Sequence, residues 1–361
     1  MDHPPSLADA LTRPRSGSED ILSGWDDYPL HQSAALITTI SPQRPNWSER
    51  FYFNVLAPTG EVLAILGGGI YPVRGVSECY FCRLDGDQQL NVRSLERLPA
   101  PGEAVAAGPF SLRCEDPLKR WSVDVDVAGA RFAGRFDGIN PPYLYQPVDV
   151  PASEPNGEFD LYRHFVAVGK WNLEHAPGIE GSRRLLGVRD RTWGVRTRRI
   201  RWHNWCVFQL GDRTLTLIRQ ELADGTVMHS EAGVVHGDGQ IERLRIADND
   251  VTYDPATRQV ERASWELVGE HGELRLEYER VGHGIRLAGA GYDGSQGERT
   301  AGDTQRDAYD LADPDVASRT GRGTIDHGVR AHVSGAWEAD GIGVAESALA
   351  RNHVRHGHQL G

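Results

Sequence analysis

Residues 185–209 read LLGVRDRTWGVRTRRIRWHNWCVFQ, and this stretch decides how the rest of the chain is interpreted. An apolar run typical of a β-strand leads to Asp190, and a second strand-like run carries two of the nine tryptophans. A flat strand would hold Asp190 and Arg196 about 20 Å apart, at roughly 3.3 Å per residue. Gly194 lies between them and permits a bend or bulge, which alone could let the two side chains meet.

Two interpretations of Asp190 follow from its neighbours. In the first, a carboxyl group held among indole faces gives a proton to an apolar substrate or takes one from it, while Arg196 orients Asp190 or a polar substrate group. In the second, Arg196 pairs with Asp190 as a structural clasp and the tryptophans close one end of a barrel. The aromatic residues that would shape the pocket in the first interpretation are Trp193, Trp202 and Trp205.

The pattern Asp-x-x-Trp-Gly-x-Arg, followed shortly by Trp-x-x-Trp, resembles the central motif of the carotenoid 1,2-hydratase (hydroxyneurosporene synthase) superfamily. The matching residues are Asp190, Trp193, Gly194, Arg196, Trp202 and Trp205. The resemblance implies two lipocalin-like β-barrel domains in one chain, with a ligand cleft between them. It also implies that Asp190 protonates a carbon–carbon double bond. The chain is similar, too, to uncharacterised bacterial two-domain proteins with Arg-Asp-x-x-Trp-Gly-x-Arg in this place.

The rest of the chain predicts an all-β fold on its own residues. Short runs of alternating apolar and polar residues recur at intervals of about eight to twelve residues, separated by tight Asp-Gly turns, and helical periodicity is nearly absent. This pattern is typical of antiparallel barrels or sandwiches, and the proline-rich segment 141–157 is typical of an interdomain connection. The predicted division is a flexible arm at 1–23, β domains at 24–150 and 151–350 (the second with a polar insertion at 293–324), and a tail at 351–361.

Composition excludes several classes of protein. The net charge of −12 argues against nucleic acid as a partner, since phosphates select basic surfaces. No run approaches the roughly 18 apolar residues that a membrane helix needs. The start of the chain has neither a basic segment nor an apolar one, so we expect no signal peptide and a cytoplasmic protein. The expected partner is a hydrophobic small molecule.

The sequence calls for no metal and no cofactor. The four cysteines are too few and scattered for a disulfide framework. Cys79 and Cys82 have redox-motif spacing but lie in a strand-like run, where residues three apart face opposite sides. The Gly-x-Ser-x-Gly and His-Glu-x-x-His patterns are absent from the sequence, and no dinucleotide-binding fingerprint, which needs a helix after its glycines, is expected. We therefore expect an acid–base site built from side chains alone.

Further candidate residues lie outside the central motif. Glu231 and His229 share one face of a predicted strand, either as a second acid–base pair or as the polar outside of that strand. His203, within the central stretch, is a further candidate catalytic residue. Candidate substrate-binding residues are Tyr71 (placed at a cavity mouth by the Gly67–Gly69 run), Tyr143, Tyr162 and His164. The histidines of the tail are interpreted as solvated.

These features predict a cofactor-independent acid–base enzyme acting on a hydrophobic isoprenoid-like or aromatic molecule. The reaction would be hydration, dehydration, isomerisation or cyclisation, with Asp190 as the proton donor or acceptor. The alternative is a lipocalin-type protein that binds a lipid-like ligand without changing it. A carboxylate inside a tryptophan cluster favours the enzyme, because burying it costs several kcal/mol that a simple carrier need not incur.

Overall fold

The computed structural model describes residues 22, 24–29, 47–98, 104–151, 159–179, 184–195, 200–292, 294–298, 304–313, 315–316 and 324–360. Within these residues the fold is nearly all β, as predicted. The strands are β1 (Trp47–Leu56), β2 (Val62–Tyr71), β3 (Val76–Asp85), β4 (Gln88–Arg97), β5 (Val105–Ala107), β6 (Phe110–Asp116), β7 (Arg120–Val125), β8 (Phe132–Gly138), β9 (Tyr143–Leu144), β10 (Val148–Pro151), β11 (Phe159–His175), β12 (Leu186–Val195), β13 (Trp202–Leu210), β14 (Arg213–Glu221), β15 (Val227–Val235), β16 (Ile241–Tyr253), β17 (Val260–Gly269), β18 (Gly272–Arg280), β19 (Ile285–Arg286), β20 (Thr304–Asp310), β21 (Ile325–Gly335) and β22 (Ala339–Leu349). Short 3-10 helices span Gly24–Asp27, Pro72–Arg74, Leu287–Ala290 and Gly357–Leu360.

The first sheet is an antiparallel array of thirteen of the described strands. Its order is β20-β4-β3-β2-β1-β12-β11-β8-β7-β6-β5, and β9 and β10 both pair with β11. The sheet curls into a half-barrel. Aromatic side chains such as Phe53, Trp121 and Trp171 fill its inner face, where the rings of Phe53 and Trp171 have centroids 6.0 Å apart. This core holds the curled sheet together through apolar burial.

The second sheet is a closed barrel. Its order is β18-β17-β16-β15-β14-β13-β22-β21, with β18 also paired to β21, and β19 is added at β21. Closure leaves these eight strands without a free edge. The interior contains Trp202, Phe208 and Trp265, the first and last stacked at 6.3 Å. The prediction of an all-β fold built from antiparallel, barrel-like sheets is therefore confirmed.

A third core lies between the two sheets. The outer face of the first sheet contributes Tyr52 and Val188, and the outer face of the barrel contributes Trp205 and Val344. Because successive side chains of a strand point to opposite faces, β1 can place Phe53 in the inner core and Tyr52 in this one. Both faces of the first sheet are therefore buried at β1 and β2, which explains why burial is nearly continuous along these two strands.

The chain passes from the first sheet to the barrel between Val195 and Trp202, because β11 and β12 pair with strands of the first sheet. The domain limits stated above stay predictions, and of the arm at 1–23 only residue 22 is described. Within the predicted polar insertion, Thr304–Asp310 forms β20 and pairs with β4. Its side chains are mostly exposed and polar, so hydropathy does not reveal this strand.

The solvated interpretation of the C-terminal histidines is wrong for two of them. His353 and His356 are buried, and the His356 ring stacks on Trp202 with centroids 4.4 Å apart. Gln359 donates a hydrogen bond to the Val251 carbonyl oxygen at 3.0 Å, which ties this segment to the barrel. The large aromatic surface of Trp202 at the barrel end favours such a cover.

Two local predictions are confirmed. Strands β1 and β2 form the hairpin that two apolar runs joined through Pro58-Thr59-Gly60 predict, with the Gly60 amide hydrogen-bonded to the Ala57 carbonyl. Cys79 and Cys82 face opposite sides of β3, in the inner core and the inter-sheet core respectively. No helix in the described ranges is long and apolar enough to cross a membrane.

Candidate functional site

Strand pairing collects the candidate site on the outer face of the first sheet. Asp190 on β12 lies directly opposite Tyr52 on β1 and opposite Val166 on β11. Directly opposite residues of antiparallel strands face the same side, so Asp190 and Tyr52 both face the barrel. His164 lies two residues before Val166 and shares that face.

The residues on either side of Asp190 face the other way. Arg189 reaches into the inner core and donates to Asp27 at 2.7 Å, and Arg191 pairs with Glu49 there. Both ion pairs are fully buried. Asp190 therefore does not share its surroundings with the adjacent arginines, although the sequence places all three in one run.

Asp190 and His164 form a pair between the two sheets. His164 Nε2 lies 3.1 Å from Asp190 Oδ2, with the histidine 4% and the aspartate 13% exposed. The angles at this contact do not make a hydrogen bond, and neither ring nitrogen of His164 has a hydrogen-bond partner among the described residues. The rings of Tyr145 and Trp205 lie 4.6 and 5.8 Å from the imidazole. The pair is thus enclosed by aromatic faces, with polar atoms left to engage a ligand or water.

A chain of polar groups reaches this pair from the barrel. Tyr52 Oη donates to Asp326 Oδ2 at 2.5 Å, which joins the two sheets. Asp326 lies opposite Glu346 in the β21–β22 register, and His203 Nε2 lies 2.8 Å from Glu346 Oε1. On the far side of the ring, Gln220 Nε2 lies 3.2 Å from His203 Nδ1. These contacts extend from the inter-sheet core to two partly buried side chains, His203 and Gln220.

Within this chain of polar groups, burial and the neighbouring carboxyl groups favour a protonated Asp326. Burial raises the pKa of Asp326 well above its ordinary range, and the Glu346 carboxyl next to it raises that pKa further. The hydrogen bond from Tyr52 opposes the shift, while the Asp190 carboxyl adds to it. Asp326 therefore keeps its proton to a higher pH than an exposed aspartate, as expected when carboxyl groups share one site.

Glycine allows another hydroxyl to reach the same space. A Cβ at Gly67 would lie 2.6 Å from the Tyr80 hydroxyl, so only glycine lets the Tyr80 ring cross β2. This contact is the kind of close approach that a run of three glycines permits. Tyr80 Oη is buried and has no hydrogen-bond partner among the described residues. Burial raises the pKa of Tyr80 well above its ordinary value, so this hydroxyl is a donor at neutral pH.

Glu231 and His229 do share one strand face, as predicted, but their surroundings differ. Glu231 accepts hydrogen bonds from the Tyr143 hydroxyl at 2.7 Å and the Gln146 amide at 2.8 Å, and it pairs with Arg243. Burial alone would raise the pKa of Glu231, but the hydrogen bonds and the Arg243 charge lower it below the ordinary value. This carboxylate ties the segment around Tyr143 to the barrel.

The structure brings some of the predicted site residues together. Asp190, His164 and Trp205 meet between the sheets, and the Tyr162 ring lies 6.1 Å from that of His164. His203 reaches the same space through Glu346. Tyr143 belongs to the Glu231 cluster instead.

Other predicted residues lie elsewhere. Trp202 is three residues from Trp205 and therefore faces the barrel interior, where it donates to Tyr253 Oη at 2.9 Å. Trp193 is three residues from Asp190 and packs against Phe165 on the other side of the first sheet. Neither indole lies in the inter-sheet space with Asp190. Tyr71 is buried near Gly69, and Arg196 lies outside the described residues.

Four residues of the site were missed by the sequence reasoning. These are Arg50, Tyr52, Tyr80 and Asp326. Each sits in a strand where a polar or aromatic residue gives no special signal. On the barrel side Glu346, which follows the apolar Val344 and Ala345 in β22, was also not predicted as a site residue.

Two other features do not compete with this site. Among the described residues, no group of three or more His, Cys, Asp or Glu side chains has the geometry to hold a metal ion. A surface depression of about 860 Å³ lies on the barrel around Arg262, Glu277 and His332. Its charged side chains are largely exposed and pair with one another, as Arg275 does with Glu277 at 3.1 Å. Such pairs are typical of a solvated surface.

Comparison with known proteins gives a family and a set of distant folds. The family model described as "Domain of unknown function (DUF7064)" matches residues 37–300. No curated protein sequence matches the chain. Among solved structures, a candidate AttH protein from Nitrosomonas europaea is 11% identical with a TM-score of 0.47, covering 85% of this chain and 93% of that one.

Two further structures show similar values. Kievitone hydratase from Nectria haematococca is 10% identical with a TM-score of 0.46, covering 91% of this chain and 93% of its own. CghA is 11% identical with a TM-score of 0.44, covering 84% of this chain and 88% of its own. At identities and TM-scores this low, these similarities carry no argument about the reaction, which has to be argued from the site.

Proposed function

The chain belongs to the DUF7064 family, a domain of unknown function, and we propose that it is a cofactor-independent acid–base enzyme. Its substrate would be a hydrophobic, isoprenoid-like or aromatic molecule, and its reaction hydration, dehydration, isomerisation or cyclisation at a carbon–carbon double bond. One observation carries the proposal. Asp190 and His164 are 3.1 Å apart, nearly buried, and face aromatic rings, while the imidazole nitrogens keep no hydrogen-bond partner among the described residues.

Asp190 would transfer the proton. In the hydration direction its carboxyl gives a proton to one carbon of the double bond, and the other carbon becomes cationic. His164 is placed to return a proton to the carboxylate, since its Nε2 lies beside Oδ2. General acid catalysis by a positioned carboxyl group typically contributes 10²–10⁴-fold.

The aromatic enclosure would stabilise the cation. Trp205 and Tyr52 lie edge to face with centroids 5.8 Å apart, so they present differently oriented rings to the space beside Asp190. The face of an indole attracts a cation by about 0.5–2 kcal/mol, with the larger value in desolvated sites. A hydrophobic substrate would also fill the apolar surface around the pair.

The second half of the reaction would use the barrel side of the site. In hydration, a water oxygen bonds to the cationic carbon and its proton passes to a base. Glu346 is placed for this step, since His203 Nε2 lies 2.8 Å from Glu346 Oε1 and could relay the proton away from it. In isomerisation or cyclisation the same base takes a proton from carbon instead. The site would therefore have an acid on one sheet and a base on the other.

A non-catalytic binding protein is the alternative function. It would use the same apolar surface but would not need an acid and a base facing each other. The network from Tyr52 through Asp326 and Glu346 to His203 favours the enzyme. Buried ionisable groups are costly to assemble, and such groups cluster at sites of chemistry.

The test is proton transfer to carbon, which can be measured even when the product has not been identified. The protein is incubated in D₂O with isoprenoid alkenes, alkenyl phenols and aryl alkenoic acids, and the recovered compounds are returned to H₂O and analysed by mass spectrometry. Deuterium on oxygen exchanges back, whereas deuterium on carbon stays. We expect carbon-bound deuterium in at least one class, with Asp190→Asn preventing it. Compounds that bind by calorimetry but acquire no carbon-bound deuterium would establish the carrier instead.

A further inference from the structure

Arg50 is a buried cation without a counter-ion among the described residues. It lies on β1 two residues before Tyr52, on the face turned toward the barrel, and is 4% exposed. Its Nε and Nη1 atoms have no hydrogen-bond partner, and the guanidinium forms no ion pair with any described residue. The Tyr292 ring lies 4.3 Å from its central carbon. One face of the guanidinium is therefore covered by an aromatic ring, and two of its donors are unused.

The neighbouring carboxylate is already engaged. Glu78 Oε1 pairs with Arg93, and Glu78 Oε2 accepts the Gly297 amide at 2.6 Å. Glu78 is near enough to act on Arg50 electrostatically but does not pair with it. Burial by itself lowers the pKa of Arg50, but the adjacent tyrosines and Glu78 raise it above the ordinary value. The guanidinium therefore stays charged, and an unpaired buried charge costs several kcal/mol.

We propose that Arg50 binds a singly charged oxyanion of the substrate, a carboxylate or phenolate, with the Tyr80 hydroxyl as a second donor. This inference rests on the function proposed above, and it adds the substrate class: an apolar skeleton that carries one acidic group. Arginine suits this role because its planar fork matches an oxyanion and it is more weakly hydrated than lysine. The unused Tyr80 hydroxyl lies in the same space, since the electric fields of both Arg50 and Asp190 act on it.

The strand register sets the spacing of the two groups that the substrate must present. Tyr52 is opposite Asp190, and Arg50 is opposite Thr192. Arg50 and Asp190 are therefore diagonal neighbours on one face, and such pairs are about 7–8 Å apart. The acidic oxygen of the substrate and the carbon that accepts the proton should consequently lie at different points of its skeleton.

The experiment compares two probes of the same shape, 2-naphthoate and the neutral 2-naphthamide, by calorimetry at pH 8. We expect the wild-type protein to bind naphthoate roughly ten- to hundredfold more tightly, the range for hydrogen bonds to charged groups. Arg50→Met should bring the affinity for naphthoate down to that for naphthamide. Arg83→Met is the matched control: this arginine lies on β3 and donates to the Pro177 carbonyl at an exposed position, so the preference should remain.

Thermal unfolding separates binding from support of the fold. Because methionine replaces an unpaired buried charge with a flexible apolar chain, Arg50→Met should melt at or above the wild-type temperature. A much lower melting temperature, with naphthoate still preferred, would make Arg50 a structural residue. Equal affinity of the wild type for both probes, or no binding of naphthoate at millimolar concentration, overturns the proposal without recourse to any variant. Neither result bears on deuterium transfer by Asp190, so the two proposals fail separately.

Discussion

Two carboxyl groups beside histidines lie on facing parts of the molecule, and their surroundings are opposite in kind. Glu231 accepts hydrogen bonds from Tyr143 and from the Gln146 amide, and it pairs with Arg243. Asp190 has the His164 ring at 3.1 Å without a hydrogen bond. In sequence the two look alike, since each is a lone carboxyl within a strand-like run.

The difference shows how the hydrogen-bond partners of a buried carboxyl group distinguish a structural role from a catalytic one. A carboxylate whose oxygens are all occupied by donors gains stability and has little left for a substrate. A carboxyl group that faces unpartnered donors in apolar surroundings destabilises the fold unless a ligand supplies the missing hydrogen bonds. By this criterion Glu231 stabilises the packing of the 143–146 segment on the barrel, and Asp190 is the group available for chemistry.

The largest expected effect is on turnover at Asp190. Asp190→Asn keeps the shape but removes the transferable proton, so carbon-bound deuterium should form 10²–10⁴-fold more slowly, as is typical when general acid catalysis is lost. The melting temperature should change little, because the variant leaves no hydrogen-bonded partner unpaired among the described residues. If the clasp interpretation holds instead, the variant melts lower, keeps full turnover per folded molecule, and Arg196→Ala reproduces it.

The reciprocal variant at the other carboxyl should affect stability alone. Glu231→Gln removes the charge that faces Arg243 and one of the acceptors used by Tyr143 and the Gln146 amide. We expect the free energy of unfolding to fall by about 1–3 kcal/mol, measured by urea denaturation. Turnover per folded molecule should match the wild type. A loss of turnover comparable to that of Asp190→Asn would erase the contrast between the two clusters.

A pair of tryptophan variants sharpens the comparison of the two barrel faces. Trp205→Phe should weaken ligand binding and slow turnover, since this ring faces the Asp190 and His164 pair. Trp202→Phe should lower the free energy of unfolding by about 1–3 kcal/mol, because the ring is packed inside the barrel. Its effect on turnover should be small. Equal losses of turnover in both variants would mean that the site extends through the barrel wall.

The pH dependence of stability should show the smallest differences, in two overlapping windows. Burial lowers the pKa of His356 to about 4 and that of His327 to about 3. Both are neutral when folded and take up protons near pH 6.5 when unfolded, so stability should fall as pH drops from about 6.5 to about 3. The lowered pKa of Glu231 adds stability above its ordinary value of 4.5, which is lost as pH falls through the folded pKa.

Glu231→Gln is the check on that assignment. Below about 4.5 the variant should show a weaker pH dependence than the wild type, and above that pH the two should agree, as followed by denaturation midpoints across the pH range. An unchanged profile at low pH would show that another carboxylate is responsible.

The fold class was accessible from the sequence because it depends on local signals. Period-two alternation and tight turns determine strands over a few residues, and the hairpin of β1 and β2 is found where the turn predicts it. Strand β20 was missed because an exposed polar strand is specified by its partner β4 rather than by its own hydropathy. The burial of the C-terminal histidines was missed for the same reason, because they pack on Trp202 at the end of the barrel, which is far away in sequence.

The sequence by itself determined that the chain is all-β and antiparallel, and that Asp190 stands in an unusual aromatic stretch. Tertiary structure decided which neighbours Asp190 meets. Sequence adjacency suggested Trp193 and Trp202, but side chains three apart on a strand face opposite sides, so both lie elsewhere. The groups that do meet it, His164, Tyr52 and Asp326, come from other strands and a second sheet, because packing two sheets face to face joins residues whose separation along the chain carries no local signal.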